Sequence, residues 1–150
     1  MFVGEAPGRD EDLQGEPFVG RSGQLLDRLI NEELGIDRAG FYICNVVKCR
    51  PPGNRDPHPE EVAACRHYLE SQISIVAPRV IVTLGNFATR TLLATTEGVT
   101  RLRGRQYRYG EAVVVPTFHP SAALRGGGVV VAEMRADLIR AKRALAGAPA

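Results

Sequence analysis

Three kinds of residue in this sequence have types and spacing suited to chemistry. Asn45 lies inside the apolar run "FYICNVV". A carboxamide buried in such a run needs a partner, and it donates and accepts at once, which suits the edge of a nucleobase. His119 stands in "FHPSAALR", just past another apolar run and before a Pro-Ser turn. Histidine is the side chain most easily tuned for proton work near neutral pH. Cys44, Cys49 and Cys65 are three thiols, one more than a disulfide uses and one fewer than a tetrahedral metal site usually takes. Acids crowd the opening at Glu5, Asp10, Glu11, Asp12 and Glu16, and bases follow at Lys48, Arg50, Arg55 and then from Arg101 to Arg125.

Four apolar runs rich in Val, Ile and Phe must position these residues: "MFVGE", "FYICNVV", "RVIVTLG" and "EAVVVPTF". Nearly continuous apolar character is how strands buried on both faces read. Helical patterns separate them. "SGQLLDRLINEELG" sets Leu25, Leu26, Leu29, Ile30 and Leu34 on one stripe, with Ser22 as the expected N-cap and Gly35 as the stop. "HPEEVAACRHYLESQISIV" opens with Pro59 at a first helical position, followed by two acids. "GNFATRTLLA" and "VVVAEMRADLIRAKRALA" supply two more helices. Alternating strands and helices predict an α/β fold around a mainly parallel, four-stranded sheet. Ligands of such sheets bind at the carboxyl ends of the strands, so the segments after each strand should converge on one site.

Those segments carry Gly, Pro, Asn, His and charge. Phe18, in the loop after the first strand, is placed either to stack on a flat ring or to staple the following helix. "GRSG", with Ser22, opens a helix and suits either a phosphate or simple capping. Asn54 and Arg55 lie on a proline-stiffened turn, "KCRPPGNR".

Composition leaves the class open but excludes some options. The chain has 150 residues, one domain's worth, 44% of them hydrophobic and 24% charged, an ordinary globular mix. A net charge of +2 does not by itself announce a nucleic-acid binder. No apolar run reaches the length of a transmembrane helix. The opening "MFVGEAPGRDED" lacks a signal peptide's basic and apolar regions, so reduced thiols in a cytoplasm are expected.

Together, "GEAPGRDED", "PFVGRSGQLL", "YICNVVKCRPPGNR", "TLGNFA" and "HPSAALR" resemble the uracil-DNA glycosylase superfamily. The match is to family 4, the iron–sulfur-containing type of bacteria and archaea. The five motifs occur in family order and cover nearly the whole chain. The resemblance implies a three-layer α/β/α glycosylase-like fold in a single domain over residues 1–150. It also implies an enzyme that flips uracil from DNA and hydrolyses its N-glycosidic bond in base excision repair.

By resemblance, Phe18 stacks on uracil, Asn45 reads its N3–H and O4 edge, and His119 donates to O2 as negative charge grows there. Ala6 stands where some superfamily members carry an aspartate, which leaves Glu5 and Glu11 as the carboxylates for water or for the sugar cation. Asn54 is a further motif position at the uracil site. Ser22, Arg50, Arg55 and Ser121 are expected at DNA phosphates. Leu124 or Arg125 is expected to fill the gap left by the flipped base, although relatives often carry a bulkier residue where Ala123 stands.

In family 4, four cysteines hold a [4Fe–4S] cluster. Cys49 and Cys65 match two of them, the other two belong to a segment before the first strand, and Cys44 is expected in the core. Because Met1 falls inside that strand, the sequence reads as truncated relative to the family. The residues alone leave other readings open: two buried thiols, a zinc site of Cys49, Cys65 and His67, or a non-catalytic cluster or metal module that binds nucleic acid or a partner protein. A superfamily subgroup that bonds covalently to deoxyribose is disfavoured, because its added basic loop has no counterpart between Cys49 and Cys65. The resemblance further implies a monomer acting on uracil-containing DNA without a membrane, and contact with a sliding clamp, which some relatives make.

Overall fold

A computed structural model of the chain describes residues 1–147; the last three positions of the 1–150 span, in the Ala/Pro tail, lie outside the described residues. The expected alternation is present. Strands β1 (Phe2–Gly4), β2 (Ile43–Asn45), β3 (Val80–Leu84) and β5 (Ala112–Thr117) are parallel neighbours. A short strand β4 (Tyr107–Tyr109) completes the sheet, in the order β2-β1-β3-β5-β4. The sheet therefore has five strands rather than the four expected. The added strand, "YRY", pairs antiparallel with β5 across a tight turn at Gly110. Its three residues alternate in burial, with Arg108 exposed at the sheet's rim, so no apolar run marks it.

Helices cover both faces, which gives the expected three layers. α2 (Arg21–Leu34), α6 (Pro120–Gly126) and α7 (Gly128–Leu145) lie on one face. There Phe2, Val82 and Val115 from the sheet meet Leu26, Leu29, Ile30, Met134 and Leu138. α3 (Pro59–Val76) and α4 (Gly85–Leu93) lie on the other, where Val3, Ile81 and Val114 meet Leu69, Ala88 and Leu92. Alternation along β5 sends Val113, Val115 and Thr117 toward α7, and Ala112 and Val114 toward α4. α1 (Arg9–Gln14) and α5 (Val99–Leu102) are short helices in the connections. No helix among the described residues is long and apolar enough to cross a membrane.

Two helix starts show how local sequence sets the site. α2 begins at Arg21 with Gly20 as its N-cap, not Ser22, which sits in the first turn; its end at Gly35 (φ 71°) is as expected. α3 begins at Pro59, as expected, and the Glu61 carboxylate accepts the His58 N–H at 3.4 Å and pairs with Arg55 at 2.6 Å. Only Leu69 of its 18 residues is fully buried.

Candidate active site

The loops after β1, β2, β3 and β5 converge, as the parallel topology requires, on one cavity of about 730 Å³. Glu5, Glu11, Phe18 and Ser22 line it from the first loop and the start of α2. Asn45 lines it from the end of β2, and Asn54 and Arg55 from the turn beyond. His119 and Ser121 close it from the start of α6, and Arg125 from that helix's last turn. Arg50, Leu124, Cys49 and Cys65 are not among its walls. Arg50 Nε instead donates to Asn54 Oδ1 at 2.7 Å, so it braces the turn.

Phe18 and Asn45 share the α2 face of the sheet. Phe18 is buried and has a left-handed backbone (φ 55°), a conformation that costs a non-glycine residue about 1 kcal/mol and that aims its ring inward. Arg38 Nη2 holds the preceding carbonyl, that of Pro17. Gly4 lets the two side chains approach: a Cβ there would lie 2.6 Å from both Asn45 Oδ1 and the Phe18 ring. Asn45 is 5% exposed, and its Oδ1 has no hydrogen-bond partner among the described residues. A buried orphan acceptor costs about 1–3 kcal/mol, which a bound N–H would recover.

His119 is the N-cap of α6. Its Nδ1 accepts the Ser121 N–H at 3.1 Å and lies 2.8 Å from Ser121 Oγ. An Nδ1 that accepts must be unprotonated, so in the neutral ring the proton sits on Nε2 and is free to be donated. Burial, and then the positive charge of Arg125, lower the His119 pKa from 6.5 to about 4. The imidazole is therefore neutral at physiological pH. Phe18 lies 5.5 Å from it, ring centroid to centroid. On its other side Gly85 (φ 89°) packs so closely that a Cβ would sit 3.0 Å from His119 Cβ.

The carboxylates divide. Glu5 is half-buried, and burial, then the neighbouring Asp56, push its pKa up. Glu11 is tied at both oxygens: Oε1 accepts the Gly8 N–H at 3.3 Å and Oε2 the Gly20 N–H at 3.2 Å. It thus brackets the two glycine loops that carry Phe18.

The chain matches the model of the uracil DNA glycosylase superfamily over residues 1–140. The chain belongs to that superfamily. It is 53% identical to the Type-4 uracil-DNA glycosylase of Thermotoga maritima, over 83% of this chain and 66% of that protein. It is 48% identical to the Type-4 enzyme of Sulfurisphaera tokodaii, over 83% of this chain and 60% of that protein. With the Type-4 enzyme of Saccharolobus solfataricus it shares 45%, over 99% and 72% of the two chains. The chain thus spans 60–72% of the length of these three relatives.

In this superfamily member the cavity also has walls to which the sequence reading gave no role, one of them, Asn86, inside the motif "TLGNFA". Asp56, Asn86, Arg90 and Thr100 line it. Asp56 follows the turn "PPGNR", and Asn86 and Arg90 come from α4, which starts directly after β3. For Asn86 the signal was its place in "TLGNFA", directly after a strand; for Asp56, Arg90 and Thr100 nothing in the residue types distinguished them from solvated surface. Asn86 Oδ1 accepts the Val99 N–H at 2.7 Å and so secures α5 at the rim. Arg55 is occupied by Glu61, whereas Arg90 Nε donates to the Glu97 carbonyl at 3.2 Å.

The cysteines stand apart from the cavity. Cys44 is buried in the core, as expected, and burial pushes its thiol pKa up. Cys65, on α3, is half-buried and accepts the Lys48 N–H at 3.5 Å, while Cys49 is exposed. Among the described residues no group of three His, Cys, Asp or Glu is placed to hold a metal ion, so Cys49, Cys65 and His67 do not form a zinc site. His67 is stacked against Tyr68 at 3.9 Å. A [4Fe–4S] cluster takes four thiolates, and the described residues contain three cysteines, one of them shut in the core, so by themselves they do not hold one.

Proposed function

We propose that the chain is a uracil-DNA glycosylase of base excision repair. The observation that carries the reading is the convergence of Phe18, the orphan Oδ1 of Asn45 and the neutral His119 on one cavity. A uracil turned out of DNA stacks on Phe18. Its N3–H donates to Asn45 Oδ1, and its O4 accepts from Asn45 Nδ2. Cytosine presents an acceptor at N3 and a donor at its amino group, which mismatches the amide at both atoms. His119 Nε2–H donates to O2. As the bond from C1′ to N1 breaks, its electron pair goes to the base, and this donor meets the growing charge on O2. The sugar becomes an oxocarbenium ion, water adds at C1′, and the water's proton leaves to a carboxylate or to solvent. Glu5, with an oxygen pair not engaged by backbone amides, is the carboxylate assigned here; Glu11 braces the loops.

Ser121 acts first on the His119 ring, with phosphate contact as a second task, and Ser22, Arg55 and Arg125 are assigned to the DNA strand at the rim. Leu124, exposed on α6, is assigned to the gap left by the base. Cys49 and Cys65 would furnish two thiolates toward an iron–sulfur cluster of structural type, and no step of the reaction runs through it. The test is incubation with a uracil-containing oligonucleotide, scored by alkali-labile strand breaks, with His119→Ser as control. Breaks made by the wild type and lost in the variant support the reading; a folded wild type that makes none returns the chain to a non-catalytic nucleic-acid module.

A further inference from the structure

We propose that Asp137 and Arg103 are positioning residues for His119, acting through Thr117 and Phe118 from behind the end of β5. Asp137 is a fully buried carboxylate on α7, beside a core cluster of apolar side chains that includes Val115, Met134 and Leu138. Its Oδ2 accepts the Thr117 hydroxyl at 2.9 Å and Arg103 Nε at 3.0 Å. Arg103 is fixed in turn: Nη2 donates to the Glu133 carbonyl at 2.9 Å, and Nη1 pairs with the Glu133 carboxylate at 3.2 Å. Its guanidinium lies 5.4 Å over the ring of Phe118. Thr117 and Phe118 are thus each gripped by the pair, and the next residue is His119.

A buried ion pair is a poor source of stability, since well-packed apolar residues in its place are often as stabilising or more so. What it does supply is direction. The hydroxyl bond fixes the last residue of β5 on the α7 side, and the stacked guanidinium fixes the ring of Phe118, which lines the cavity. From the front, Ser121 holds His119 Nδ1 and Gly85 packs against its Cβ. The imidazole is therefore clamped from both sides. Its donor Nε2 has to meet an atom whose charge develops only during the reaction, and a misplacement of about 1 Å at such a contact lowers rates by up to roughly a hundredfold.

This inference rests on the glycosylase reading, and the test separates the two. Thr117→Val keeps the side chain's shape and removes its hydroxyl, Thr117→Ser restores the hydroxyl, and Asp137→Asn removes the charge. Three quantities are read: single-turnover uracil release, the Kd for a uracil-containing oligonucleotide, and the ¹⁵N signals of the His119 ring. Thr117→Val and Asp137→Asn are expected to slow release about tenfold or more, to leave Kd within about twofold, and to move the ring signals, while Thr117→Ser stays near wild type. A Thr117→Val variant with wild-type release and unmoved ring signals overturns the proposal. So does a loss of rate that the folded fraction of the same sample accounts for. Should Asp137→Asn fail to fold, the Thr117 pair still decides. A wild type that releases no uracil sinks the glycosylase reading instead, and the ring signals still judge the positioning.

Discussion

Asn45 and Cys49 are four positions apart, yet the molecule treats them in opposite ways. Asn45 ends a sheet strand, is 5% exposed, and has a glycine opposite it to make room for its amide and the Phe18 ring. Cys49 is exposed on the loop just beyond, and among the described residues it belongs to no group of three or more His, Cys, Asp or Glu placed to hold a metal ion. The cavity is lined from the segments that follow four strands and from the short helix α5 at its rim, and the Asn45 acceptor in it lacks a donor among the described residues. On the iron–sulfur reading proposed above, the cysteine pair would be half of a ligand set. The cavity residue and the exposed thiol carried on one short stretch are therefore separable in structure, and changing one should leave the other's surroundings standing.

The strongest test of that separation is at His119. On the proposed glycosylase reading, replacing it by Ser removes the donor assigned to O2 and should lower single-turnover uracil release about a hundred- to a thousandfold, with oligonucleotide affinity nearly unchanged. A comparable loss from Cys49→Ser would break the comparison. Asn45→Leu is the next largest. It removes the recognition edge and should lower kcat/KM about a hundredfold, yet it also removes a buried orphan acceptor. Stability should rise by about 1 kcal/mol, read as a higher urea midpoint. A variant that is both inactive and less stable would mean that the Asn45 amide is satisfied in the free protein.

The same contrast explains what was legible in the sequence. β1, β2, β3, β5 and the four long helices announce themselves because buried strands and amphipathic helices need periodic apolar residues. β4 does not, being three alternating residues at an edge, and neither do α1, α5 and α6, which are too short to carry a period. Asn45 and His119 were readable because each stands where a strand gives way to a loop, and Phe18 because an aromatic stands in the glycine-flanked segment that leads into α2. Asp56 and Arg90 were not, since their place in the wall depends on how two distant loops fold toward each other. Asp137 is the clearest such case: a lone acid in "MRADLIRAK" looks like a solvated helix face until α7 is packed and the acid is found pointing into the sheet. Ser22 shows the reverse, a residue type that favours capping while Gly20 takes the cap.

A smaller effect follows from the His119 pKa. The ring titrates near 6.5 when the chain is unfolded and near 4 when folded. Between those values the unfolded chain holds the extra proton, so stability should rise with pH across the window and level off above it. The rise is roughly 1–3 kcal/mol, and His119→Gln should flatten it, as measured by urea midpoints from pH 4 to 7. Raised carboxylates such as Glu5 oppose this slope, so the difference between wild type and His119→Gln is what reads the ring; no difference between the two slopes would place the imidazole in contact with solvent and weaken the case for a neutral donor. Cys49→Ser and Cys65→Ser should leave the slope as it is, which again tests whether the two regions are independent.

The smallest effect concerns the thiols themselves. Reactivity follows exposure and thiolate character. A thiol reagent should therefore label Cys49 first and Cys65, half-buried against the Lys48 amide, more slowly. Cys44 should react only on unfolding, because burial both shields it and pushes its pKa up. Mass spectrometry of peptides taken at intervals gives the order directly. Labelling Cys49 should leave uracil release within about twofold of the untreated protein, since its side chain is no part of the cavity wall. If blocking this one exposed thiol instead stops catalysis, the short stretch from Asn45 to Cys49 behaves as a single unit. The turn "KCRPPGNR", which carries Asn54 and Arg55 into the cavity, would then be the element that joins its two halves.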